Sequence, residues 1–273
     1  MTIRQAIAEA TTQLEAARVP SPKSDAQWLL VYVLRASRAV LLGDNRELTK
    51  TELEQFQTWL ARRVAREPLQ WIIGSSEFYG LELKVQAGVL IPRPETERLV
   101  ELTLERLPQT GRVVDIGCGT GAIALALKAE RPKLEVWATD ISPMAIELTK
   151  QNAQRLNLEL CAVQTSLLDG ITGKFSAIIS NPPYLPDSDV LMPEVRLEPR
   201  EALYSGADGL GLARQIIVLA KQFLEPHGWL MLELDPRNAP VLQAELQALG
   251  WQTWLAADLA GRERFVLARE QEA

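Results

Sequence analysis

The apolar residues of the first 70 positions recur every three to four residues, a spacing that predicts helices and no strands. Thr49, with Glu52 three residues later, forms the sequence pattern of a capping box ahead of a helix. We therefore expect a small helical domain over residues 1–70, which either recognises a partner or only supports the fold. Its predicted helices span residues 3–18, 25–34 and 53–66.

Residues 71–90 change to a pattern in which glycines separate short runs of alternating apolar and polar residues. Leu81, Leu83 and Val85 lie two positions apart, which predicts one strand of a short hairpin. We expect this hairpin to link the helical domain to a larger domain over residues 91–273.

A helix is expected to begin near Pro94, because proline is favoured at the first helical position and acidic residues are favoured in the first turn. Apolar residues at helical spacing then continue it over residues 99–107. Arg93, Thr96 and Glu97 lie where the preceding loop enters this helix. They either cap the helix or face a ligand, and the pattern leaves both roles open.

From residue 112 onward, predicted strands and helices alternate along the chain. Alternation of this kind indicates an α/β fold, with a mostly parallel sheet covered by helices on both faces. The last two strands have no helix between them, so we expect them to pair as an antiparallel hairpin at one edge. The predicted strands are residues 113–116, 134–139, 160–164, 175–180, 229–234, 251–255 and 264–268, and the predicted helices are 122–129, 142–155, 211–224 and 239–249.

The composition is that of an ordinary globular protein, with 47% hydrophobic and 23% charged residues. No apolar run approaches the roughly 20 residues that a membrane span needs. The N-terminal residues are polar and lack the apolar core of a signal peptide. We therefore expect a cytoplasmic protein with no membrane partner.

The composition disfavours both metal chemistry and direct binding to nucleic acid. Cys118, Cys161 and His227 are too few for a structural zinc site or a disulfide framework. The net charge is −6, whereas affinity for nucleic acid comes largely from neutralising phosphates with basic residues. We expect no metal site and no direct nucleic-acid partner.

A glycine-rich loop, Asp-Ile-Gly-Cys-Gly-Thr-Gly, follows the first strand of the alternating region and opens a helix. Its glycines allow a tight turn and let a ligand lie against the backbone. The preceding acid repels phosphate and suits a cation such as S-adenosylmethionine, which carries an ammonium and a sulfonium. The candidate cofactor-binding residues of the loop are Asp115, Gly117, Cys118, Gly119, Thr120 and Gly121.

Asp140 ends the next predicted strand, about 20 residues past the loop. In strand-helix-strand nucleotide sites, a carboxylate at this place accepts hydrogen bonds from ribose hydroxyls. Ser142 and Pro143 follow it with the pattern of a helix start. Asp140 is therefore the functional candidate, and its two neighbours are structural.

The tetrapeptide Asn-Pro-Pro-Tyr at residues 181–184 follows a buried-strand pattern, and its two prolines end strand pairing because they supply no backbone N–H. The Asn181 side-chain oxygen, the Pro182 carbonyl and the Tyr184 ring can hold a planar NH2 group and aim its nitrogen. Carboxyl ends of parallel strands share one edge of a sheet, so the loop, Asp140 and the tetrapeptide are expected to converge on one crevice.

These motifs together resemble the class I S-adenosylmethionine-dependent methyltransferases that act on amino groups. The sequence Val-Leu-Ile-Pro-Arg-Pro-Glu-Thr-Glu at residues 89–97, with residues 198–203 and 208–210, narrows the resemblance to the HemK/PrmC family. Members of that family are the glutamine methyltransferases of peptide chain release factors. The resemblance covers most of the chain and implies a Rossmann-like seven-stranded sheet preceded by an N-terminal helical-bundle domain for substrate recognition.

The resemblance also implies the roles of the site residues. It names S-adenosylmethionine as cofactor, S-adenosylhomocysteine as product, and the glutamine of a Gly-Gly-Gln tripeptide on a release factor as the target. The glycine-rich loop would hold the methionine end, Asp140 the ribose, and Leu167 the adenine. The implied substrate-binding residues are Asn181, Pro182, Pro183 and Tyr184; Asn181, Pro182 and Tyr184 are also the implied catalytic groups, and Asn181 also contacts the cofactor.

The chain departs from the family pattern at two places. Ser166 stands where the family usually has an aspartate in the adenine-contacting loop, which leaves the role of Asp169 open. Glu233 begins the sequence Glu-Leu-Asp-Pro, whereas the family usually has a glycine soon after this glutamate. We assign no function to that turn from the sequence.

Three alternatives remain open at this stage. Adenine in DNA or RNA presents the same two amino hydrogens to Asn-Pro-Pro-Tyr, and a ribosomal protein could supply the glutamine instead. Base-flipping enzymes need a phosphate-binding surface, and the small basic cluster of Arg62, Arg63 and Arg66 is expected to be only a solvated helix face. A binding module without catalysis would have no need of Asn181 and Tyr184.

Overall fold

The computed structural model describes residues 1–270. Of Leu42 it describes the backbone and not the side chain. The chain divides into two compact units. The first, called here the helical unit, comprises Met1–Ser75 and Leu191–Leu197. The second, the sheet unit, comprises Ser76–Val190 and the chain from Glu198 onward. The helical unit is therefore discontinuous in sequence, because a segment that follows the Asn-Pro-Pro-Tyr turn belongs to it.

The helical unit contains the three predicted helices and also shorter ones. The capping box is confirmed, since the Thr49 hydroxyl accepts from the Glu52 N–H and the Glu52 carboxylate accepts from the Thr49 N–H. The short helices have six and five residues, too few for helical periodicity to show in the sequence. The helices are α1 (Ile3–Ala16), α2 (Pro22–Leu34), α3 (Arg38–Gly43), α4 (Lys50–Val64) and α5 (Leu69–Ile73).

Arg63 is buried within the helical unit, so the expectation of a solvated basic face was wrong for this residue. Its Nε donates to Asp25 Oδ2 at 2.8 Å, and its Nη2 donates to Glu194 Oε1 at 3.0 Å. Arg66 donates to both oxygens of the Glu194 carboxylate, at 2.7 and 2.6 Å. The four side chains neutralise one another, and helical spacing could not reveal this because Asp25 and Glu194 lie far away in sequence.

Replacing Arg63 with methionine is expected to lower the free energy of unfolding by about 3–5 kcal/mol, because Asp25 and Glu194 then lose their shared buried partner. Urea denaturation followed by tryptophan fluorescence measures this change. Arg62→Met is the matched control: Arg62 is the preceding residue of α4, its pair with Glu67 is only partly buried, and we expect a change below about 1 kcal/mol. Equal effects of the two substitutions would contradict the buried ion-pair account.

The predicted hairpin is present as a separate two-stranded sheet, formed by β1 (Ser75–Phe78) and β2 (Leu81–Lys84). The helix after it, α6 (Thr96–Leu104), begins two residues later than the position of Pro94 suggests, with Glu95 as its N-cap residue. Turn hydrogen bonds from Thr96 N to Arg93 O and from Glu97 N to Pro94 O precede the helix. Pro94 therefore lies in a turn that leads into α6.

The predicted α/β fold is confirmed by a seven-stranded sheet in the order β5-β4-β3-β6-β7-β9-β8, with helices on both faces. The strands from β5 to β7 are parallel to their neighbours. No helix within residues 1–270 is long and apolar enough to cross a membrane. The elements are β3 (Gly111–Ile116), α7 (Ala122–Glu130), β4 (Leu134–Asp140), α8 (Pro143–Leu156), β5 (Cys161–Gln164), β6 (Phe175–Ser180), α9 (Gly211–Phe223), β7 (Leu224–Glu233), α10 (Ala239–Ala248), β8 (Trp251–Ala257) and β9 (Glu263–Glu270).

The expected antiparallel hairpin at one edge is confirmed. Its second strand, β9, lies between β7 and β8, so that β8 forms the edge of the sheet. β9 pairs antiparallel with both β7 and β8. Residues 264–268 of β9 are buried without alternation, whereas most of β8 is only partly buried. A strand that is apolar on both faces gains most by pairing on both sides, which explains why β8 and not β9 forms the edge.

The order of the central strands creates the crevice that the sequence predicts. After β3 the chain moves to β4 on one side, and it later returns to β6 on the other side of β3. Such a switch leaves a crevice at the carboxyl ends of the strands, because the connections diverge there. Ile116, Asp140 and Ser180 end the three strands, so the glycine-rich loop, Asp140 and the Asn-Pro-Pro-Tyr turn meet at this edge.

Candidate active site

A cavity of about 200 Å³ lies in the sheet unit at the carboxyl ends of β3, β4 and β6. A single water needs only about 10–15 Å³ by the same measure, so the cavity has room for a ligand of many atoms. Its walls include most of the residues that the sequence singled out. Those residues are Gly117, Cys118, Gly119, Thr120, Asp140, Leu167, Asn181 and Pro183.

The glycine-rich loop turns sharply and leaves open space in front of its backbone. The N–H groups of Gly117 and Cys118 both donate to the Thr139 carbonyl, at 2.8 and 3.0 Å. Gly119 has a φ of +56°, and a Cβ added there would meet only Val89, at 3.8 Å. A ligand can therefore lie against this backbone, as glycine at these positions predicts.

Cys118 and Gly121 serve the packing of the loop. The Cys118 side chain is buried, and its Sγ lies 3.4 Å from Thr149 Oγ1. Burial raises the pKa of this thiol far above its usual range, so Cys118 is a neutral packing residue. A Cβ added at Gly121 would lie 2.9 Å from the Thr149 methyl group, and Gly121 is not part of the cavity wall. Gly121 therefore permits α7 and α8 to approach closely.

Asp115 is buried behind the loop, 1% exposed, and it does not line the cavity. Its Oδ2 accepts a hydrogen bond from the Ala124 N–H at 3.3 Å, while its Oδ1 has no partner. Burial raises the pKa of Asp115 to about 7, and the nearby Asp140 adds to the increase. A cationic ligand at the loop would favour the ionised carboxylate and relieve this cost, so the buried acid fits a positively charged ligand.

Asp140 lines the cavity with its carboxylate held by backbone donors on two sides. Its Oδ2 accepts from the Gly119 N–H at 3.0 Å, and its Oδ1 accepts from the Ser142 N–H at 2.8 Å. Burial raises the pKa of Asp140, and the two N–H groups partly oppose that increase. Each carboxylate oxygen keeps a further lone pair, so the group is oriented to accept hydrogen bonds from ligand hydroxyls.

The wall beyond Asp140 is formed by the segment that contains Ser166 and Leu167. Both residues line the cavity together with Ile141 of the neighbouring loop. Leu167 has a φ of +52°, which is uncommon for a residue with a side chain and marks a locally fixed backbone. Asp169 is exposed and outside the cavity. The structure therefore brings Ser166, and not Asp169, to the place where the resembling family has an aspartate.

Asn181 lines the cavity, directly after β6. Its Nδ2 donates to the Thr96 hydroxyl at 3.0 Å, and Thr96 is itself 4% exposed. The side-chain amide of Asn181 is therefore held from the side of α6. With Nδ2 engaged, Oδ1 remains available as a hydrogen-bond acceptor for a ligand.

The remaining residues of the tetrapeptide have different surroundings. Pro183 lines the cavity, whereas Pro182 is buried and Tyr184 packs against the core cluster on the α9 and α10 side of the sheet. Burial raises the pKa of Tyr184 to about 12, so its phenol stays neutral. Neither Pro182 nor Tyr184 contributes to the cavity wall.

The Tyr184 backbone is fixed by two residues from the later part of the chain. Its carbonyl accepts from Asn238 Nδ2 at 2.9 Å. Gly209 lies so close that a Cβ added there would be 2.1 Å from the same carbonyl oxygen. The Asp-Gly-Leu motif noted in the sequence therefore makes room for the turn that carries Asn181.

Two of the three residues with undecided roles line the cavity. Arg93 and Thr96 are part of its wall, whereas Glu97 accepts a hydrogen bond from the Tyr79 N–H at 2.9 Å and anchors the hairpin. Arg93 is paired with Glu198, a buried glutamate that accepts from Arg93 Nη2 at 2.6 Å and from the Ile91 N–H at 3.0 Å.

The sequence indicated Glu198 only as the first residue of the family motif at residues 198–203. Its partner, Arg93, lies 105 residues away in the chain. The Glu198 carboxylate links two segments around the cavity, and this structural role explains why it is buried. The family motif was the one sequence feature that pointed to it. Pro199, Glu201 and Ala202 follow it in the wall.

Comparison with known proteins gives matches over the whole chain. Residues 94–195 match the Methyltransferase small domain family, and residues 5–74 match the PrmC N-terminal domain family. The chain is 48% identical over 98% of its length to the release factor glutamine methyltransferase of Deinococcus radiodurans, of which the match covers 99%. It is 40% identical over its full length to the release factor glutamine methyltransferase of Vibrio cholerae, of which the match covers 99%.

A methyltransferase from Pyrococcus furiosus has a similar solved structure, with a TM-score of 0.56 at 20% sequence identity. The match covers 78% of this chain and 95% of that one. At this level of identity the likeness shows the fold alone.

Proposed function

The chain belongs to the family of release factor glutamine methyltransferases, and on that basis we propose that it transfers a methyl group from S-adenosylmethionine to a glutamine of a peptide chain release factor. The acceptor is the side-chain amide nitrogen, and the proposed target is the glutamine of a Gly-Gly-Gln tripeptide. Release factors act in translation termination, so we place the reaction in the cytoplasm.

The observation that carries this proposal is the oriented amide of Asn181 in the cavity wall. Asn181 Nδ2 is engaged by Thr96 at 3.0 Å, which leaves Oδ1 to accept a hydrogen bond from the substrate amide. The proposed second acceptor is the Pro182 carbonyl, and the Tyr184 ring is proposed to lie against the plane of the amide; both residues stand beside Asn181 in the same turn but outside the cavity wall. Two acceptors and a ring fix the direction in which the substrate nitrogen points.

S-adenosylmethionine supplies the methyl group, bound to a positively charged sulfur. The open backbone of Gly117 and Gly119 would hold its methionine end, and the buried Asp115 favours its positive charge. Asp140 is oriented to accept from the ribose hydroxyls, and Leu167 with Ile141 provides apolar surface for the adenine. The residues present therefore fit this cofactor along the whole cavity.

The chain's contribution to the chemistry is chiefly positioning. An amide nitrogen is a poor nucleophile because its lone pair is delocalised, so its direction of approach decides the rate. Orientation of reactants alone can supply roughly 7–11 kcal/mol of the barrier. The nitrogen becomes acidic once it is alkylated and then loses a proton without a dedicated base. Asn181 and the Pro182 carbonyl serve by holding the two amide hydrogens.

Methylation of adenine is the alternative that the tetrapeptide alone allows. The similar proteins are named release factor glutamine methyltransferases, which favours a glutamine of a release factor as the target. The net charge of −6 also suits a protein substrate better than nucleic acid. Residues 5–74 match the PrmC N-terminal domain family, and we propose substrate recognition as the role of the helical unit.

Methyl transfer from radiolabelled S-adenosylmethionine to a purified release factor tests this proposal. The controls are the same release factor with the Gly-Gly-Gln glutamine changed to alanine, and adenine-containing DNA. We expect label on the unaltered release factor only. Label on DNA alone, or equal label on the alanine variant, would contradict the proposed target.

A further inference from the structure

Arg93 is a positively charged residue in a cavity wall whose other charged residues are acids. Of the described residues that line the cavity, Arg93 is the single lysine or arginine, whereas Asp140 and Glu201 are carboxylates. Asp115 adds a third acid behind the glycine-rich loop. These acids suit the two positive charges of S-adenosylmethionine, but its methionine end also carries a carboxylate. That group needs donors of opposite charge, because a charge taken out of water without a partner is costly.

The Arg93 guanidinium is held in place by a buried glutamate. Its Nη2 donates to Glu198 Oε1 at 2.6 Å, and the Glu198 side chain is 2% exposed. The other Glu198 oxygen accepts from the Ile91 N–H at 3.0 Å, so the carboxylate does not form a bidentate pair with the arginine. Glu198 is thus itself fixed, and it determines the direction of the guanidinium through one contact.

The remaining donors of Arg93 are available to a ligand. A guanidinium has five N–H donors, and within residues 1–270 Arg93 forms no hydrogen bond besides the one to Glu198. Its side chain is 30% exposed, so part of the group faces open space. Parallel N–H groups of a guanidinium match the two oxygens of a carboxylate, which makes arginine the side chain best suited to bind one.

The segment that carries Arg93 runs from the glycine-rich loop to the Asn-Pro-Pro-Tyr turn. Val89, four residues before Arg93, lies across from the loop: a Cβ added at Gly119 would be 3.8 Å from Val89 Cγ1. Thr96, three residues after Arg93, accepts from Asn181 Nδ2 at 3.0 Å. Val89, Arg93 and Thr96 all line the cavity. Arg93 therefore lies along the cavity between the loop that would hold the methionine end and the turn that would hold the substrate.

We propose that Arg93 binds the carboxylate of S-adenosylmethionine and that Glu198 is a positioning residue that orients the guanidinium for this contact. The inference rests on the proposed function only through the placement of the cofactor in the cavity, and it does not depend on the methyl acceptor. With the carboxylate held by Arg93 and the ribose by Asp140, the cofactor is fixed on both sides of its sulfonium. The site then selects S-adenosylmethionine over a form that lacks the carboxylate.

Calorimetric titration of the full-length chain with two ligands tests this inference. The first ligand is S-adenosylhomocysteine, and the second is decarboxylated S-adenosylhomocysteine, which differs only in lacking the carboxylate. The unaltered chain is expected to bind the decarboxylated ligand about 10- to 100-fold more weakly, the range for losing a hydrogen-bonded pair of charged groups. This comparison needs no substitution, so it remains decisive even where a variant disturbs folding.

Substitution of Arg93 assigns the loss to this side chain. Arg93→Met is expected to weaken binding of S-adenosylhomocysteine about 10- to 100-fold and to change binding of the decarboxylated ligand by less than about threefold, because only the first ligand loses a partner. Arg93→Lys keeps the charge but not the planar pair of donors, and it is expected to weaken binding of S-adenosylhomocysteine about three- to tenfold.

Arg98→Met is the matched control. The Arg98 side chain is also 30% exposed and is also paired with a glutamate, Glu101, at 2.7 Å, but it lies outside the cavity wall. We expect this variant to bind both ligands within about twofold of the unaltered chain.

The two ligands separate carboxylate binding from a merely structural role of Arg93. A structural role would make Arg93→Met weaken binding of both ligands by the same factor, and that result would overturn the inference. Equal affinity of the unaltered chain for the two ligands would overturn it as well. Binding is measured without a release factor, so a lack of methyl transfer to the release factor would contradict the proposed target and would not alter these results.

Discussion

Replacing Asn181 with alanine is expected to lower the rate of methyl transfer to a release factor by at least about 100-fold. The side-chain oxygen of Asn181 is the acceptor that would hold one hydrogen of the target amide, and Thr96 fixes its direction at 3.0 Å from Nδ2. Loss of one preorganised hydrogen-bonding group commonly costs about 10²- to 10³-fold in rate. Here the group holds the nucleophile itself, so the loss acts on its alignment as well as on its binding.

The cofactor is the internal control for this substitution. The loop glycines and Asp140 do not depend on the Asn181 side chain for their hydrogen bonds, so affinity for S-adenosylhomocysteine is expected to change by less than about threefold. Asp169→Ala is the matched control variant, because Asp169 is exposed and lies outside the cavity. Normal transfer by the Asn181→Ala enzyme would show that the amide is held by other groups.

Replacing Gly209 with alanine is expected to reduce transfer to a similar extent without touching any residue that lines the cavity. The added Cβ would lie 2.1 Å from the Tyr184 carbonyl oxygen and 2.8 Å from Asn238 Nδ2. Nothing can remain at those distances, so the Asn-Pro-Pro-Tyr turn must move away and its hydrogen bond to Asn238 must break. A displacement of about 1 Å at a site of this kind can cost about 100-fold in rate.

Gly206→Ala is the control that distinguishes the collision with the Tyr184 carbonyl from the strain of a side chain in the left-handed region. Gly206 and Gly209 have nearly the same backbone conformation, with φ of +83° and +77°, but a Cβ at Gly206 would meet no atom within 4 Å. Both variants are expected to lose about 1–2 kcal/mol of stability from a side chain in the left-handed region. Only Gly209→Ala is expected to lose activity, measured as kcat with release factor at a temperature where both variants are folded. Equal activities would mean that the Tyr184 carbonyl does not hold the turn in place.

The two substitutions act on one short turn from opposite sides. Asn181 faces the cavity and α6, whereas the Tyr184 carbonyl faces Gly209 and Asn238. Two successive prolines stiffen the chain between these contacts, because each fixes its φ. The turn is thus held at both ends and has little freedom in the middle, which is what alignment of a weak nucleophile requires.

The sequence motifs indicated groups that follow strands, and they gave little indication of the groups that support them. The motifs indicated the loop glycines, Asp140 and Asn181, and the structure brings these to one cavity. The sequence also indicated Asp115 as a cofactor-binding residue, but the structure places it behind the loop, where only its charge reaches a ligand. Spacing shows that a residue lies near a turn and does not show which side of the backbone it faces.

The sequence by itself determined the order of strands and helices, the crevice at the carboxyl ends of the strands, and the motif residues that line it. These follow from local properties: apolar periodicity, proline and glycine backbone preferences, and the rule that parallel strands end at one edge. The antiparallel edge was also foreseen, because two strands without a helix between them can only pair that way.

Only the tertiary structure decided which polar groups are buried and what they contact. Arg63 appeared as one of a row of surface arginines, yet its partners Asp25 and Glu194 come from distant parts of the chain. Thr96 and Asn181 likewise meet because folding brings the start of α6 beside the end of β6. The free energy of a buried charge depends on every group around it, and that environment exists only after the chain has folded.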